Sequence, residues 1–573
     1  MRKIKYTIVI FLLLITLLSC EKLLEPQRDN RLTGEQVTGD PAFAEGLLLN
    51  AYLALPTSYT LDEVATDDAV TNDRNSSLLR MATGEWKSTF NPMETWNSSY
   101  KQIYYINLFL EVCENVEWSW ESREVNNYFL KKLKGEACGL RALYEFQILQ
   151  KHAGVSADNE LLGFPIVTNT LTVEDDLNLP RNTFDECVSQ ILNDCDTAIK
   201  YLPRVYSDTG DPEYDAVFGS TFNNRITGDA VRALKSRLAL HAASPLFTAG
   251  KSEQEVLLLW EQAASYAADI LSEIGGISGL SPTGKTFYLP VTFPGLKFDP
   301  DIIWRSAYQT NNTLENSNYP PTLFGEGNTN PSQNLVDAFP MANGYPFRHP
   351  SSGYDPSQPY ANRDPRLTDY IVYNENKLRN NVTIYTHLNG TKDGINASTV
   401  STRTGYYLRK FMNPGVNLDP VFSTNAIHFY TYFRYTEVFL NYAEAANEAW
   451  GPDADPLGLG FNARDVIAAI RIRAGITQPD QYLNSIETPD QMRQLIHNER
   501  RIELCFEGFR FWDLRRWKEP IDTPVNGVFI SVNGSYSYDY QLIENRNYQP
   551  YMYYGPIPYN ETLIYDLKQN MGW

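Results

Sequence analysis

Histidine and cysteine are scarce in this chain, six of each in 573 residues. No histidine falls in a His-Glu-x-x-His pattern, so the helical zinc-protease arrangement is missing. No Gly-x-Ser-x-Gly turn is present to raise a nucleophilic serine. With Cys20 set apart, Cys113, Cys138, Cys187, Cys195 and Cys505 form an odd set without metal-ligand spacing, four of them inside apolar helical patterns. All five read as small core residues. Basic residues are also outnumbered, 49 Lys and Arg against 69 Asp and Glu, a formal charge of −20. No basic stretch interrupts that excess, which argues against a nucleic-acid partner. Long hydrophobic runs are missing too. The apolar run from Ile8 to Leu18 falls short of the roughly 20 residues that a spanning helix needs.

That short run has a meaning of its own. Arg2, Lys3 and Lys5 precede it, and Leu17-Leu18-Ser19-Cys20 closes it. A basic start, a short apolar core and a small-residue junction read as a secretory signal. The junction resembles a bacterial lipobox, so residues 1–19 are expected to be removed and Cys20 to carry lipid. Acyl chains at about 0.8 kcal/mol per buried methylene then hold the protein on a membrane. A polar tether is expected over residues 20–33.

Aromatics are abundant: 13% of the chain, including 37 tyrosines. In an exported protein such rings can stack on the apolar face of a ligand while hydrogen-bonding its rim. The length exceeds the roughly 250–300 residues at which single cores stop growing, so either two domains or a helical scaffold with long insertions is required.

Periodicity favours the scaffold. Thr183 with Glu186 and Ser252 with Glu255 form capping boxes ahead of stripes at spacings of three and four. Further stripes run from about Val125 to Gln150, from Ala230 to Ala242 and from Tyr435 to Ala449. Thr488, Pro489 and Gln491 open a last one. Several of these helices are rich in alanine, as closely packed tetratricopeptide-like helix pairs would be. The fold class is therefore mainly α, with helix pairs supporting long irregular insertions. From about Gly275 to Tyr430 Pro, Gly, Asn, Ser and Tyr become dense; residues 301–305 and 406–409 read as short strands, and the whole stretch as a ligand-bearing region. The parts are thus 34–274, helical; 275–430, irregular; and 431–573, helical again. Gly458, Gly460 and Ala463 make a partial glycine-rich pattern with no strand before it, read as a helix-start loop. Asp453 and Asp455 lack the full spacing of a calcium loop. No metal or cofactor is expected.

One carboxylate breaks the last stripe. Glu499 sits where an apolar residue belongs, and a buried charge must be paired. Arg500, Arg501, Glu507, Arg510, Asp513 and Arg515 surround it in sequence, and the set reads as a structural ion network joining two elements.

The same residues carry a resemblance. Asn498-Glu499-Arg500-Arg501-Ile502-Glu503-Leu504-Cys505-Phe506-Glu507-Gly508-Phe509-Arg510-Phe511-Trp512-Asp513-Leu514-Arg515-Arg516-Trp517 closely resembles the signature of the SusD/RagB family of surface glycan-binding lipoproteins. Arg434 to Ala445, Arg471 to Gly475, Leu234 to Phe247 and Pro556-Ile557-Pro558 match other family segments in the same order. The resemblance implies one SusD-like unit over residues 34–573 and no catalytic machinery. It also implies an outer-membrane location, outward-facing, with capture of oligosaccharides for a SusC-like TonB-dependent transporter. Branches of the family bind peptides instead, and that alternative stays open; so, from the residues alone, does a glycoside hydrolase, which needs only two carboxylates about 5–10 Å apart.

Family sites draw on the segment before the first helices and on the irregular middle. The first corresponds to about Asp67–Asn97, with Asp68, Asp73, Arg80, Trp86, Asn91 and Trp96 as candidate ligand contacts. The middle contributes Tyr308 and Tyr319, with Asn311 and Asn312 beside them. Carboxylate, guanidinium and amide groups suit sugar hydroxyls, and indole or phenol rings suit C–H faces. Trp96 also follows helical spacing with Tyr100, Ile103 and Asn107, which points to core.

Overall fold

The structure, a computed structural model, describes residues 39–290, 298–379 and 381–573. The signal run, Cys20 and the tether to residue 33 lie outside the described residues.

The periodic stretches are helices. We label the longer ones α1 (Pro41–Leu53), α2 (Trp96–Val112), α3 (Arg123–His152), α4 (Phe184–Tyr201), α5 (Gly228–Ala243), α6 (Glu253–Glu273), α7 (Tyr435–Trp450), α8 (Ala463–Ala474) and α9 (Pro489–Glu503). A two-turn helix, α10 (Arg510–Arg516), follows α9. The capping boxes at Thr183, Ser252 and Thr488 all form, each side chain accepting from the N3 amide. Asn462 adds a fourth at the end of the Gly458–Gly460 loop, where Asp455 accepts from Leu459 and Gly460 amides.

Successive helices pack side by side: α2 on α3, α3 on α4, α4 and α6 on α5, and α7 on α6, α8 and α9. Alanine makes this possible. Ala263, Ala264, Ala267 and Ala268 of α6 and Ala443, Ala445 and Ala446 of α7 are all buried, so the two backbones approach without large side chains between them. Gly139 does the same for α3: a Cβ there would stand 3.0 Å from Val231 Cγ2 on α5. The five cysteines are buried and unbridged within these cores.

Short antiparallel strand pairs replace helices in the middle: β1 (Ala69–Thr71), β2 (Ile302–Arg305), β3 (Gln309–Asn311), β4 (Thr329–Pro331), β5 (Ala426–His428) and β6 (Thr431–Arg434). β1 pairs with β4, β2 with β6 and β3 with β5. The expected strands at 301–305 and 406–409 are present, the latter as Tyr407–Leu408. They surround a second apolar core that includes Leu335, Phe339, Tyr370 and Leu408.

The C-terminal part is not purely helical. A long hairpin, β7 (Val525–Val532) and β8 (Tyr536–Glu544), inserts Val528 and Ile530 into that second core. Its signal was present in the sequence: alternating Val528, Ile530 and Val532, then Asn533-Gly534, with Gly534 at φ 78° in the turn.

Buried ion pairs join the two regions. Glu499, fully enclosed, meets Arg366 at 2.5 Å and Arg471 at 3.5 Å. One turn on, Glu503 receives Arg473 (2.7 Å), Arg366 (3.0 Å) and Arg434 (3.5 Å). Glu507 pairs with Lys410 and Arg434, and Arg434 reaches Asp301 as well. Arg501 grips Asp67 and Asp68, with Arg510 also on Asp67. Arg500 and Arg516 share Asp513, each at 2.8 Å, and Arg516 forks onto Glu444 at 2.5 and 2.7 Å. Arg515 departs from the expectation. Among the described residues it meets no carboxylate; it donates to the Met552 and Phe511 carbonyls and lies 3.4 Å from the Phe511 ring centroid, beside Trp86 and Tyr548. Burial lowers its pKa to about 10. Ring faces and backbone oxygens replace the counter-ion here.

Two outcomes follow for stability. Gly139→Leu wedges α3 from α5 and is expected to cost about 1–3 kcal/mol in chemical denaturation, with Gly139→Ala milder because helix propensity offsets part of the crowding. Burial pushes the Glu444 carboxyl up, but Arg516 outweighs it and holds the pKa at about 2. Glu444 therefore contributes stability above its ordinary carboxylate range, and that contribution disappears as pH falls from about 4.5 through about 2. A melting-temperature series across that window is expected to fall steeply for the wild type and less so for Glu444→Gln.

Candidate functional site

The strand pairs of the middle region frame a cavity of about 410 Å³. β3 and β5 place Gln309, Asn311 and His428 on its wall, with Gln309 opposite His428 in register. β1 and β4 bring Thr71 and Thr329, and the turn after β1 brings Asp73. Rings close the other side: Tyr59 stacks on Phe411 at 3.9 Å, Tyr288 meets Phe411 edge-on at 5.2 Å, and Phe429 stands nearby. His428 is held through Nε2 by Glu315 Oε2 at 3.1 Å, while Glu315 Oε1 accepts from the Asn413 amide. Asp73 is exposed; its Oδ1 accepts from the Asn75 amide, leaving further lone pairs for a ligand. Among the described lining residues Asp73 is the only carboxylate, and there is no lysine or arginine. Stacked rings beside amides, hydroxyls and one carboxylate can hold an uncharged, hydroxyl-bearing molecule by its faces and edges.

Of the candidate contacts expected from sequence, Asp73 and Asn311 line this cavity. Several others are corrected by burial. Trp86 is 2% exposed, edge-on to Trp573, Phe511 and Tyr548, and its Nε1 donates to Asn91 Oδ1 at 3.0 Å. Asn91 also accepts from the Met93 amide, so its carbonyl serves the fold. Trp96 is enclosed against Tyr100 and His152, as its helical spacing required. Tyr319 is enclosed too, its hydroxyl donating to the Asn413 carbonyl at 2.7 Å. Asp68 is fully buried on Arg501 and cannot pair with Arg80. In each case apolar area or an ion pair draws the side chain inward, away from any ligand. Arg80 is exposed but grips Glu85 and lies over Phe90, apart from the cavity wall. Tyr308 is exposed, its ring 6.1 Å from that of Phe298, and does not line the cavity. Asn312 donates to Ser423 and the Thr424 carbonyl.

Tyr59, Tyr288, Gln309, Phe411, His428 and Phe429 escaped the sequence reading. They come from five separated stretches, and only the proximity of Gln309 to Tyr308 and Asn311 pointed toward one of them. Gly279-Leu280-Ser281-Pro282-Thr283-Gly284-Lys285-Thr286 spells a phosphate-loop pattern, but it follows a helix rather than a strand, and Lys285 pairs with Asp369 at 2.8 Å. Asp453 is paired with Arg464, and among the described residues no cluster of His, Cys, Asp and Glu is arranged to hold a metal.

A scaffold of helix pairs that carries an aromatic and polar cavity on irregular insertions is the mainly helical, SusD-like architecture expected from the sequence. Comparison with known proteins agrees. Residues 300–573 match the model of the SusD family, and residues 44–221 match a family model described as starch-binding associating with outer membrane. Two SusD-like proteins of Formosa agariphila are 24% and 23% identical to this chain, covering 92% and 98% of it and 95% and 97% of themselves. A SusD-like crystal structure from Bacteroides fragilis aligns with a TM-score of 0.73 at 24% identity, over 94% of this chain and 99% of its own. A SusD-like carbohydrate-binding protein of the same organism aligns at 0.70 and 22%, over 92% of this chain and 99% of its own. A laminarin-binding SusD-like protein aligns at 0.58 and 16%, over 93% of this chain and all of its own. The chain belongs to the SusD/RagB family. Among the described residues no helix is long and apolar enough to cross a membrane.

Proposed function

We propose that this chain is a surface nutrient-binding lipoprotein, anchored through Cys20, that captures oligosaccharides and passes them to a SusC-like TonB-dependent transporter in the outer membrane. The observation that carries the reading is the 410 Å³ cavity, where the half-buried Tyr59 and Tyr288, backed by Phe411, face amides and Asp73. Family membership and the carbohydrate-binding relatives support the ligand class. A sugar ring presents C–H groups on its faces and hydroxyls around its edge, and the cavity offers rings for the first and Asp73, Gln309, Asn311 and His428 for the second. The single carboxylate among the described lining residues does not make the acid and base pair that glycoside hydrolysis uses. The chain acts by binding alone. With no lysine or arginine among the described lining residues, neutral glycans are favoured over uronate or sulfated ones.

Titration calorimetry against neutral and anionic oligosaccharides, with product analysis, tests this. Saturable heat without hydrolysis is expected for a neutral glycan. Tyr288→Ala is expected to weaken that binding about tenfold, a ring contact of roughly 1.4 kcal/mol. Preference for an anionic glycan, turnover, or heat only with peptides would each overturn the reading. The hand-off has a separate check. Deleting the gene is expected to slow uptake of that glycan at limiting concentration, and unchanged uptake would remove the delivery role.

A further inference from the structure

A second cavity, about 440 Å³, lies across the segment Ser58–Leu61 from the first. Tyr59 belongs to both walls: its ring stacks on Phe411 toward one cavity and stands 4.8 Å from Tyr430 toward the other. The last turns of α3, the strand β6 and the turn between α9 and α10 form the rest of the second wall. Most of its charges are already engaged, Arg237 by Glu437, Arg500 by Asp513 and Arg516 by Glu444.

Lys151 is not. Its ammonium lies within electrostatic reach of Asp62 and Glu94, both on the same cavity, yet forms neither an ion pair nor a hydrogen bond among the described residues. Burial lowers the Lys151 pKa and raises that of Asp62, so each charge is incompletely satisfied. The side-chain amides of Gln147 and Gln150, on the same turns of α3, are likewise without partners. An ammonium and a carboxylate held apart across a gap, with amides beside them, match a group that donates and accepts at once. Vicinal hydroxyls do this. The Tyr430 and Trp512 rings supply apolar faces. Leu61 at φ 54° and Phe506 at φ 64° line the same cavity in the left-handed region, a strain that persists where surrounding structure enforces a shape.

We propose that this second cavity is a separate saccharide site that takes one or two sugar rings, with Lys151, Asp62 and Gln150 meeting hydroxyls and Trp512 covering a ring face. Two carboxylates against one ammonium make an uncharged sugar the fitting ligand. The proposal does not depend on what fills the first cavity.

The test titrates the purified chain with laminaribiose, cellobiose, xylobiose, maltose and mannobiose at millimolar concentration, reading heat and tryptophan fluorescence with Trp512→Phe as the signal control. Four further variants are compared: a first-cavity double variant, Asp73→Ala with Tyr288→Ala, and the single changes Lys151→Met, Gln150→Ala and Asp62→Asn. The expected result is saturable binding of at least one disaccharide that survives in the double variant and weakens about tenfold in Lys151→Met. Gln150→Ala and Asp62→Asn report the same site should Lys151→Met fail to fold, as judged by its melting curve. If no disaccharide binds the double variant while the wild type binds, the second site is refuted and the first stands. Binding in the double variant that Lys151→Met, Gln150→Ala and Asp62→Asn all leave unchanged also refutes it. Absence of binding everywhere refutes both sites.

Discussion

Charge enclosed at the junction between helices and insertions is the constraint on which the rest of this structure depends. Glu499 and Glu503 project from the end of α9 into space that water does not reach, Glu507 follows at its edge in the turn after α9, and each finds cations there. The partners come from distant stretches: Arg366, Lys410 and Arg434 from the irregular region and its edge, Arg471 and Arg473 from α8. Leaving one of these carboxylates unpaired would cost several kcal/mol, so the chain closes only when all the segments converge. Asp67 and Asp68, on Arg501 and Arg510, carry the same requirement to the segment just before β1. Convergence at this hub sets the positions of β1, β2 and β6, and hence of the cavities beside them.

Aromatic residues serve two distinct purposes around that hub. Trp86, Trp96 and Tyr319 fill space and spend their polar atoms on internal partners. Tyr59 and Tyr288 instead stay half-buried on the cavity wall, Tyr59 stacked on the buried Phe411 and Tyr288 edge-on to it. Nothing in the composition separates these groups, since a tyrosine suits both a core and a binding surface. What separates them is whether the opposing surface is protein. Beside the short strand pairs Tyr59 and Tyr288 keep part of their surface uncovered; where α10 and Trp573 close over a ring, as at Trp86, almost none remains.

Local pattern was enough to read most of the scaffold. The capping boxes at Thr183, Ser252 and Thr488 act over four residues, and the alanine stripes follow one helix face, so both are written contiguously in the chain. Glu499 was legible as a paired buried charge because it interrupts an apolar stripe. Arg515 was not legible, because whether a guanidinium finds a carboxylate or three aromatic rings depends on what folds over it. The β7–β8 hairpin had a readable turn at Asn533-Gly534 and was masked by the helical character of the segments before it.

By itself, then, the sequence determined the mainly helical class, the ends of the principal helices, the buried charge on α9 and the family signature. Each of these rests on interactions within a few residues or on an uninterrupted motif. The tertiary structure alone decided which aromatics are core and which are wall, how Arg501 reaches Asp68 across more than 430 residues, and where Asp73, Asn311, Phe411 and His428 meet. Those are contacts between distant segments. Their geometry follows from how loops of unequal length close around a buried set of charges, and no periodicity in the chain encodes it.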